Sequence, residues 1–285
     1  MTVRRLATPL ALAAAALLPH AASAQTIVTA PAGASQTVDP FPGYMTWYRD
    51  DVRPGATAGI TATYPRSGTG SMLLTNNGSA AKANVALYVD PALYPFTSLG
   101  SFLGYGYEYY RNGASTAADH LAPAIRLLID ADGSNATTND RGSLIYEPIY
   151  NGVTTVATNQ WVSVGVGATT NLWWFQSGVG VEEVYNRTLA DYQAGTYTPT
   201  AGFAQLSGNS LVYGINFGTG SGWAGNFEGA VDNVYATVGS PIGPVTQSWN
   251  FEAPVTATPE PASLALLGTG LLALGGVAVR RKRGA

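Results

Sequence analysis

The sequence predicts an all-β body, a single antiparallel β-sandwich, between an N-terminal signal peptide and a C-terminal transmembrane helix. Three observations carry this prediction. Apolar and aromatic residues alternate with period two in many short runs, which is the period of a strand. Gly, Asn and Ser bound those runs, as tight turns require. The composition holds 34 Gly, 16 Tyr and 6 Trp with only 11% charged residues, a balance that suits pleated, half-buried surfaces.

The chain opens with Arg4 and Arg5, then an Ala/Leu-rich apolar run from Leu6 to Leu18. Ala22-Ser23-Ala24 follows, with small residues where a signal peptidase reads, so residues 1–24 are predicted to be removed after Ala24. The apolar run is too short to span a bilayer as an anchor. "VRRLAT" lacks the rest of a twin-arginine signal, so the arginine pair reads as ordinary positive charge.

Strand runs fill the body, assigned to residues 25–240. "FLGYGYEYY" places Leu103, Tyr105, Tyr107 and Tyr109 on one face and Phe102, Gly104, Gly106 and Glu108 on the other. "AIRLLIDADG" is a strand ending in a turn at Asp132-Gly133. "GSLIYEPIYNG" is a strand interrupted at Pro148, which suggests an edge or a bulge, and it closes at Asn151-Gly152. "QWVSVGVGA", "NLWWFQSG", "LVYGINFG" and "FEGAVDNVYATVG" repeat the pattern. "VEEVYNRTLADYQ" is the one candidate for a short helix. No fixed internal period appears, which argues against a propeller or β-helix. "SGTGSMLL" and "FEGAVDNVYATVG" resemble the opening and closing strands of jelly-roll modules, such as carbohydrate-binding domains, and of laminin-G-like sandwiches. The resemblance implies a jelly-roll or concanavalin-like sandwich and speaks to fold more than to function. Residues 241–258, with "GSPIGP" and Pro254, read as a linker.

The tail is the most specific part. Ala262 to Val279 is uncharged and close to the minimum span of a membrane helix. Arg280-Arg281-Lys282-Arg283 follows, and such clusters stay cytoplasmic, so the body faces outward. Pro259-Glu260-Pro261 precedes the span, and two prolines hold that strip extended for an enzyme to reach. This order resembles the PEP-CTERM sorting signal of Gram-negative bacteria. The resemblance implies recognition of Pro259, Glu260 and Pro261 by an exosortase, a membrane transpeptidase-like protease. It further implies transient anchoring in the inner membrane with the C-terminus cytoplasmic, then delivery to the cell surface or a polysaccharide matrix. The alternative is a permanent C-terminal anchor.

Charge and composition exclude several function classes. Without Arg4, Arg5, the four basic tail residues and Glu260, eight basic and sixteen acidic residues remain, a net charge of −8. Such a surface repels nucleic-acid phosphates. The absence of Cys removes thiol catalysis and thiolate metal sites, and leaves the core to hold by burial alone.

Candidate sites are few. Asp130-Ala131-Asp132-Gly133-Ser134-Asn135 offers clustered oxygens, but Gly stands fourth and Arg141 twelfth, so the EF-hand template fails and the stretch reads as a polar hairpin turn. Asp232 in the closing strand is a candidate ligand for a structural calcium ion, with Asp39 or Asp51 as partner; no other cofactor is expected. In Trp173-Trp174-Phe175 the strand period sends Trp174 to one face and its neighbours to the other, so one of Trp173 and Trp174 is a candidate platform for a sugar ring. His120 lies in a loop-like stretch with no nucleophile elbow in the chain. Glu182-Glu183, Glu108, Glu147 and Asp50-Asp51 could supply a carboxylate pair for glycoside hydrolysis, but no glucanase strand motif is present, and no catalytic residue is assigned. The expectation is an exported, non-enzymatic surface or biofilm-matrix protein. The alternatives are a carbohydrate-binding module and a glycan hydrolase.

Overall fold

The run from Phe102 forms a strand whose alternation decides which side serves the core. Tyr105, Tyr107 and Tyr109 are at most 2% exposed, whereas Glu108 and Tyr110 lie partly open on the opposite side. Leu103, at the strand's mouth, is left exposed. A computed structural model describes residues 25–29, 31, 46–89, 98–134 and 136–254. The signal peptide with Ala22 and Ala24, the candidate ligand Asp39, and the tail with Pro259, Glu260 and Pro261 lie outside the described residues.

Two sheets face each other. The seven-stranded sheet comprises β1 (Thr26–Val28), β3 (Ala56–Thr61), β4 (Ser71–Asn77), β6 (Phe102–Arg111), β9 (Trp161–Val166), β14 (Asn226–Val238) and β15 (Val245–Phe251). The eight-stranded sheet comprises β2 (Trp47–Val52), β5 (Ala83–Tyr88), β7 (Ala124–Asp130), β8 (Arg141–Tyr146), β10 (Asn171–Gln176), β11 (Gly180–Val181), β12 (Arg187–Thr188) and β13 (Leu211–Gly218). Its path runs β11-β10-β8-β7-β13-β5-β2, with β12 beside β10. All described pairings are antiparallel except β1 with β15.

The long strand β14 organises the first sheet. One flank pairs with β4 from Asn226 to Val231 and with β15 from Val234 to Val238, while the other pairs with β6. A bulge between Asp232 and Tyr235 marks the change of partner, and Asn233 takes a φ of 49° there. Asn tolerates the left-handed region better than most residues, because its short side chain bonds locally.

The core lies between the sheets. Met72, Leu74, Tyr105, Tyr107 and Val231 from one sheet pack in a single cluster with Leu87, Ile125, Leu127, Trp174 and Phe217 from the other. The sandwich predicted by the period-two pattern is thus present. The short helix is present too, as α1 (Leu189–Ala194), with Thr188 and Asp191 forming a reciprocal capping box.

Two expectations shift. Residues 245–251, assigned to the linker, form β15 instead, and Trp249 and Phe251 are buried in the core. The physical reason is alternation inside "TQSWNF", which outweighs the Pro and Gly just before it. Pro148 marks neither an edge nor a bulge. The strand β8, paired on both sides, ends at Tyr146, and Pro148 opens a short 3-10 turn over Pro148–Asn151. Proline suits that first position because no partner is needed for its missing N–H.

Candidate functional site

The outer face of the eight-stranded sheet carries aromatic and polar side chains away from the core. Register fixes which residues share it. Trp173 stands opposite Ile145, Ile145 opposite Arg126, Arg126 opposite Asn216, Asn216 opposite Ala86, and Ala86 opposite Tyr48. Facing residues of paired strands lie on one side, so one row crosses six strands from Trp173 to Tyr48. The next row holds Phe175, Ser143, Leu128, Gly214 and Tyr88. The register slips between Val212 and Gly214, and the ring of Tyr213 lies parallel to that of Tyr88 at 6.4 Å.

Arg126 is the polar centre. It is 8% exposed, and its Nη1 donates to Asn216 Oδ1 at 2.6 Å and to Asn84 Oδ1 at 3.2 Å. Asn216 Nδ2 in turn donates to Asp50 Oδ2, and Tyr88 donates its hydroxyl to Asp50 Oδ1 at 2.6 Å. Burial pushes the Asp50 carboxyl up from its ordinary range against the pull of the Tyr88 hydroxyl. Burial also pushes the Arg126 guanidinium down, with the Glu147 charge resisting. Glu147, just past β8, is likewise raised by burial, while Arg126, the Trp173 indole and His120 draw it back. His120, Glu147, Tyr150 and Trp223 line a shallow cleft at this end.

An aromatic shelf borders that cleft. Tyr150 stacks on Tyr185 with ring centres 4.2 Å apart, and Trp173 meets Tyr185 edge-on at 6.3 Å. All three rings are partly exposed. Trp174 is 0% exposed inside the core, so of the two candidate platforms only Trp173 has a ring that a ligand can reach. Alternation along β10 separated them by face; register was needed to say which face was the core.

The other sequence-predicted acids lie apart and are engaged elsewhere. Glu182 is buried, pairs with Arg187 at 2.6 Å and accepts from Thr200 N, while Glu183 is exposed. Glu108 pairs with Arg66 at 2.7 Å and accepts from Ser163 and Asn233 on the other sheet. Burial favours the neutral Asp51, but Arg53 and Lys82 outweigh it and hold its carboxyl low. Asp232 is fully buried, and its two oxygens accept from Phe251 N at 2.9 Å and Ser67 N at 3.2 Å. The structure therefore gives Asp232 and Asp51 separate partners on different sheets.

Arg126, Asn84, Asn216, Tyr48 and Tyr88 were missed by sequence reasoning. One signal was present: Arg126 interrupts the apolar run "AIRLLID" at an outward position. Its burial depends on Asn84 and Asn216 from distant strands, which no local pattern announces.

Among solved structures, the chain is similar to a family 11 carbohydrate-binding module from Clostridium thermocellum in complex with a β-1,3-1,4-mixed-linked tetrasaccharide. That likeness has 9% identity and a TM-score of 0.38, over 76% of this chain and 96% of that one. A xylan-binding domain from Paenibacillus barcinonensis is similar at 12% identity and a TM-score of 0.29, over 66% and 85%. An endo-β-1,4-glucuronan lyase from the fungus Trichoderma reesei is similar at 14% identity and a TM-score of 0.36, over 66% and 90%. No curated protein matches the chain. Beyond the described residues the match is one of motif: residues 257–283, spanning Pro259-Glu260-Pro261, the apolar run and the basic cluster, are a PEP-CTERM protein-sorting motif, which implies export, membrane anchoring and exosortase processing.

Proposed function

We propose that the chain is an exported, non-catalytic protein, delivered to the cell surface or an exopolysaccharide matrix, whose eight-stranded sheet binds extracellular polysaccharide through its outer face. The observation that supports this most is the partly exposed Trp173–Tyr185–Tyr150 shelf at the edge of that face, beside the cleft lined by His120 and Glu147. A sugar presents an apolar ring face and a fringe of hydroxyls. Partly exposed aromatic rings match the first, and the polar groups of the adjoining cleft, His120 and Glu147, match the second. The absence of a sequence motif for hydrolysis supports the non-catalytic part, as do the bonds that already hold Asp50 to Tyr88 and Asn216. On this reading Pro259, Glu260 and Pro261 serve recognition by the exosortase-type protease, and the tail is discarded.

A second reading, a glycan-cleaving enzyme, rests on Asp50 and Glu147, two carboxyls raised by burial around Arg126. Such shifts gather at catalytic sites as well as at structural networks. One experiment separates the two. Soluble and matrix polysaccharides are titrated against the wild type and Trp173→Ala, with reducing ends and unsaturated products monitored in the same samples. The expected result is saturable binding, weakened about tenfold or more by loss of the ring, with no new products; one stacked ring contributes on the order of 1–2 kcal/mol. Product release supports the enzyme, and equal binding by both proteins sinks the role given to Trp173.

A further inference from the structure

The sequence of the hairpin joining β7 to β8 predicts a simple polar turn. The fold brings a third carboxylate to it. Asp130 ends β7, Asp132 stands in the turn, and Asp140 precedes β8; one oxygen from each lies within 4.8 Å of the others. Two oxygens bound to one calcium ion at about 2.4 Å can be no more than about 4.8 Å apart.

The crowding alone would mean little. The second observation is an orphaned acceptor. Asp140 is 9% exposed, and its Oδ1 is buried without a hydrogen-bond partner. Every other carboxylate oxygen of the three has a donor. Asp130 Oδ1 accepts from Ser134 N and Oδ2 from Arg141 Nε; Asp132 Oδ1 accepts from Ser134 N and Oδ2 from the Thr137 hydroxyl; Asp140 Oδ2 accepts from Asp132 N. A buried carboxylate oxygen with no donor is costly to leave so. Each oxygen that already has a donor keeps a lone pair for a cation.

The described residues of the turn are tied down on both sides. Ser210 Oγ donates to Ala131 O at 2.7 Å, and Gln176 Nε2 donates to Asn139 O at 3.2 Å. Gly133 takes a φ of 73°, and a Cβ there would lie 2.6 Å from Asn209 O, so no other residue fits. Three carboxylates against the one guanidinium of Arg141 leave a local charge of about −2, matched to a divalent ion. The donors are all oxygen, with no imidazole or thiolate, which selects a hard cation.

We infer that Asp130, Asp132 and Asp140 hold a calcium ion that clamps the β7–β8 hairpin, the same hairpin that carries Arg126 and Ile145 on the outer face. The remaining ligands would be waters and turn carbonyls, as is usual for calcium in extracellular modules.

The test uses the full chain in mild detergent, stripped with a chelator and titrated with calcium chloride alone. The expected result is one site with a dissociation constant on the order of 10⁻⁴–10⁻³ M, and a melting temperature raised by about 3–6 °C at 10 mM calcium. Asp140→Asn and Asp132→Asn each weaken binding at least tenfold while far-ultraviolet circular dichroism keeps its β-sheet form. A wild type that shows neither heat of binding nor a melting shift overturns the inference without reference to any variant. Undiminished binding in both variants overturns it as well, because the ion would then lie elsewhere.

Discussion

Replacing Trp47 by alanine is expected to cost about 3–5 kcal/mol of stability, the range for removing a large buried aromatic side chain. Trp47 is 2% exposed on β2 of the eight-stranded sheet. Its ring meets Trp249 and Phe251 of β15, on the opposite sheet, at 5.6 and 5.3 Å in edge-to-face fashion, and Phe217 of β13 at 5.3 Å. Edge-to-face pairs add about 0.5–1.5 kcal/mol each beyond the area they bury. This one ring therefore joins the two layers at the place where the last strand docks. Its indole Nε1 is buried without a partner, so Trp47→Phe gives up no hydrogen bond and keeps one six-membered ring; it is expected to cost about 1–3 kcal/mol, less than the alanine, for the smaller cavity it leaves. Urea unfolding of both variants checks the pair. Equal losses would mean that a single six-membered ring recovers none of the packing between the two sheets.

Asp232 makes the second large prediction, and it concerns pH. Burial pushes its carboxyl up to about 6, against the pull of the Phe251, Asn233 and Ser67 N–H groups. In the unfolded chain the same carboxyl titrates near about 3.9. Between those values the folded state holds the proton and the unfolded state has lost it. Stability from this group is therefore highest at low pH and falls as pH rises through about 4 to 6, by roughly 2–3 kcal/mol in all. Asp232→Asn removes the titration. The free-energy difference between wild type and variant is expected to change by that amount from pH 4 to pH 7, with the wild type losing ground. A difference that stays flat across the range would show that Asp232 is charged at no net cost in the folded protein.

Much of the sandwich was legible because its signals are local. Tyr105, Tyr107 and Tyr109 alternate with glycine and glutamate, and the strand buries them as the pattern requires. Asn151-Gly152 closes a turn with Gly152 in the left-handed region at a φ of 84°. The last strand was hidden because "GSPIGP" reads as a chain leaving the fold, whereas β15 returns to pair with β14 and with β1 at the opposite end of the body. Pairing over such a distance leaves no mark in a short window of sequence.

The sites were legible only in part, for the same reason. Alternation placed Trp173 and Trp174 on opposite faces, but only the register across β8 and β7 shows that Trp174 is the core side. Asp140 was overlooked because a rigid template asks for its last ligand at the twelfth position, where Arg141 stands; the fold brings in the eleventh. The tail needed no fold at all, since the sorting motif over residues 257–283 is defined by the order of its residues.

The most direct measurement is the intact mass of the protein recovered from the cell surface or the medium. Export followed by exosortase processing predicts a chain that begins at Gln25 and has lost everything beyond about Pro261, the basic cluster included. A molecule that keeps both ends, or one found working in the cytosol, would contradict the account.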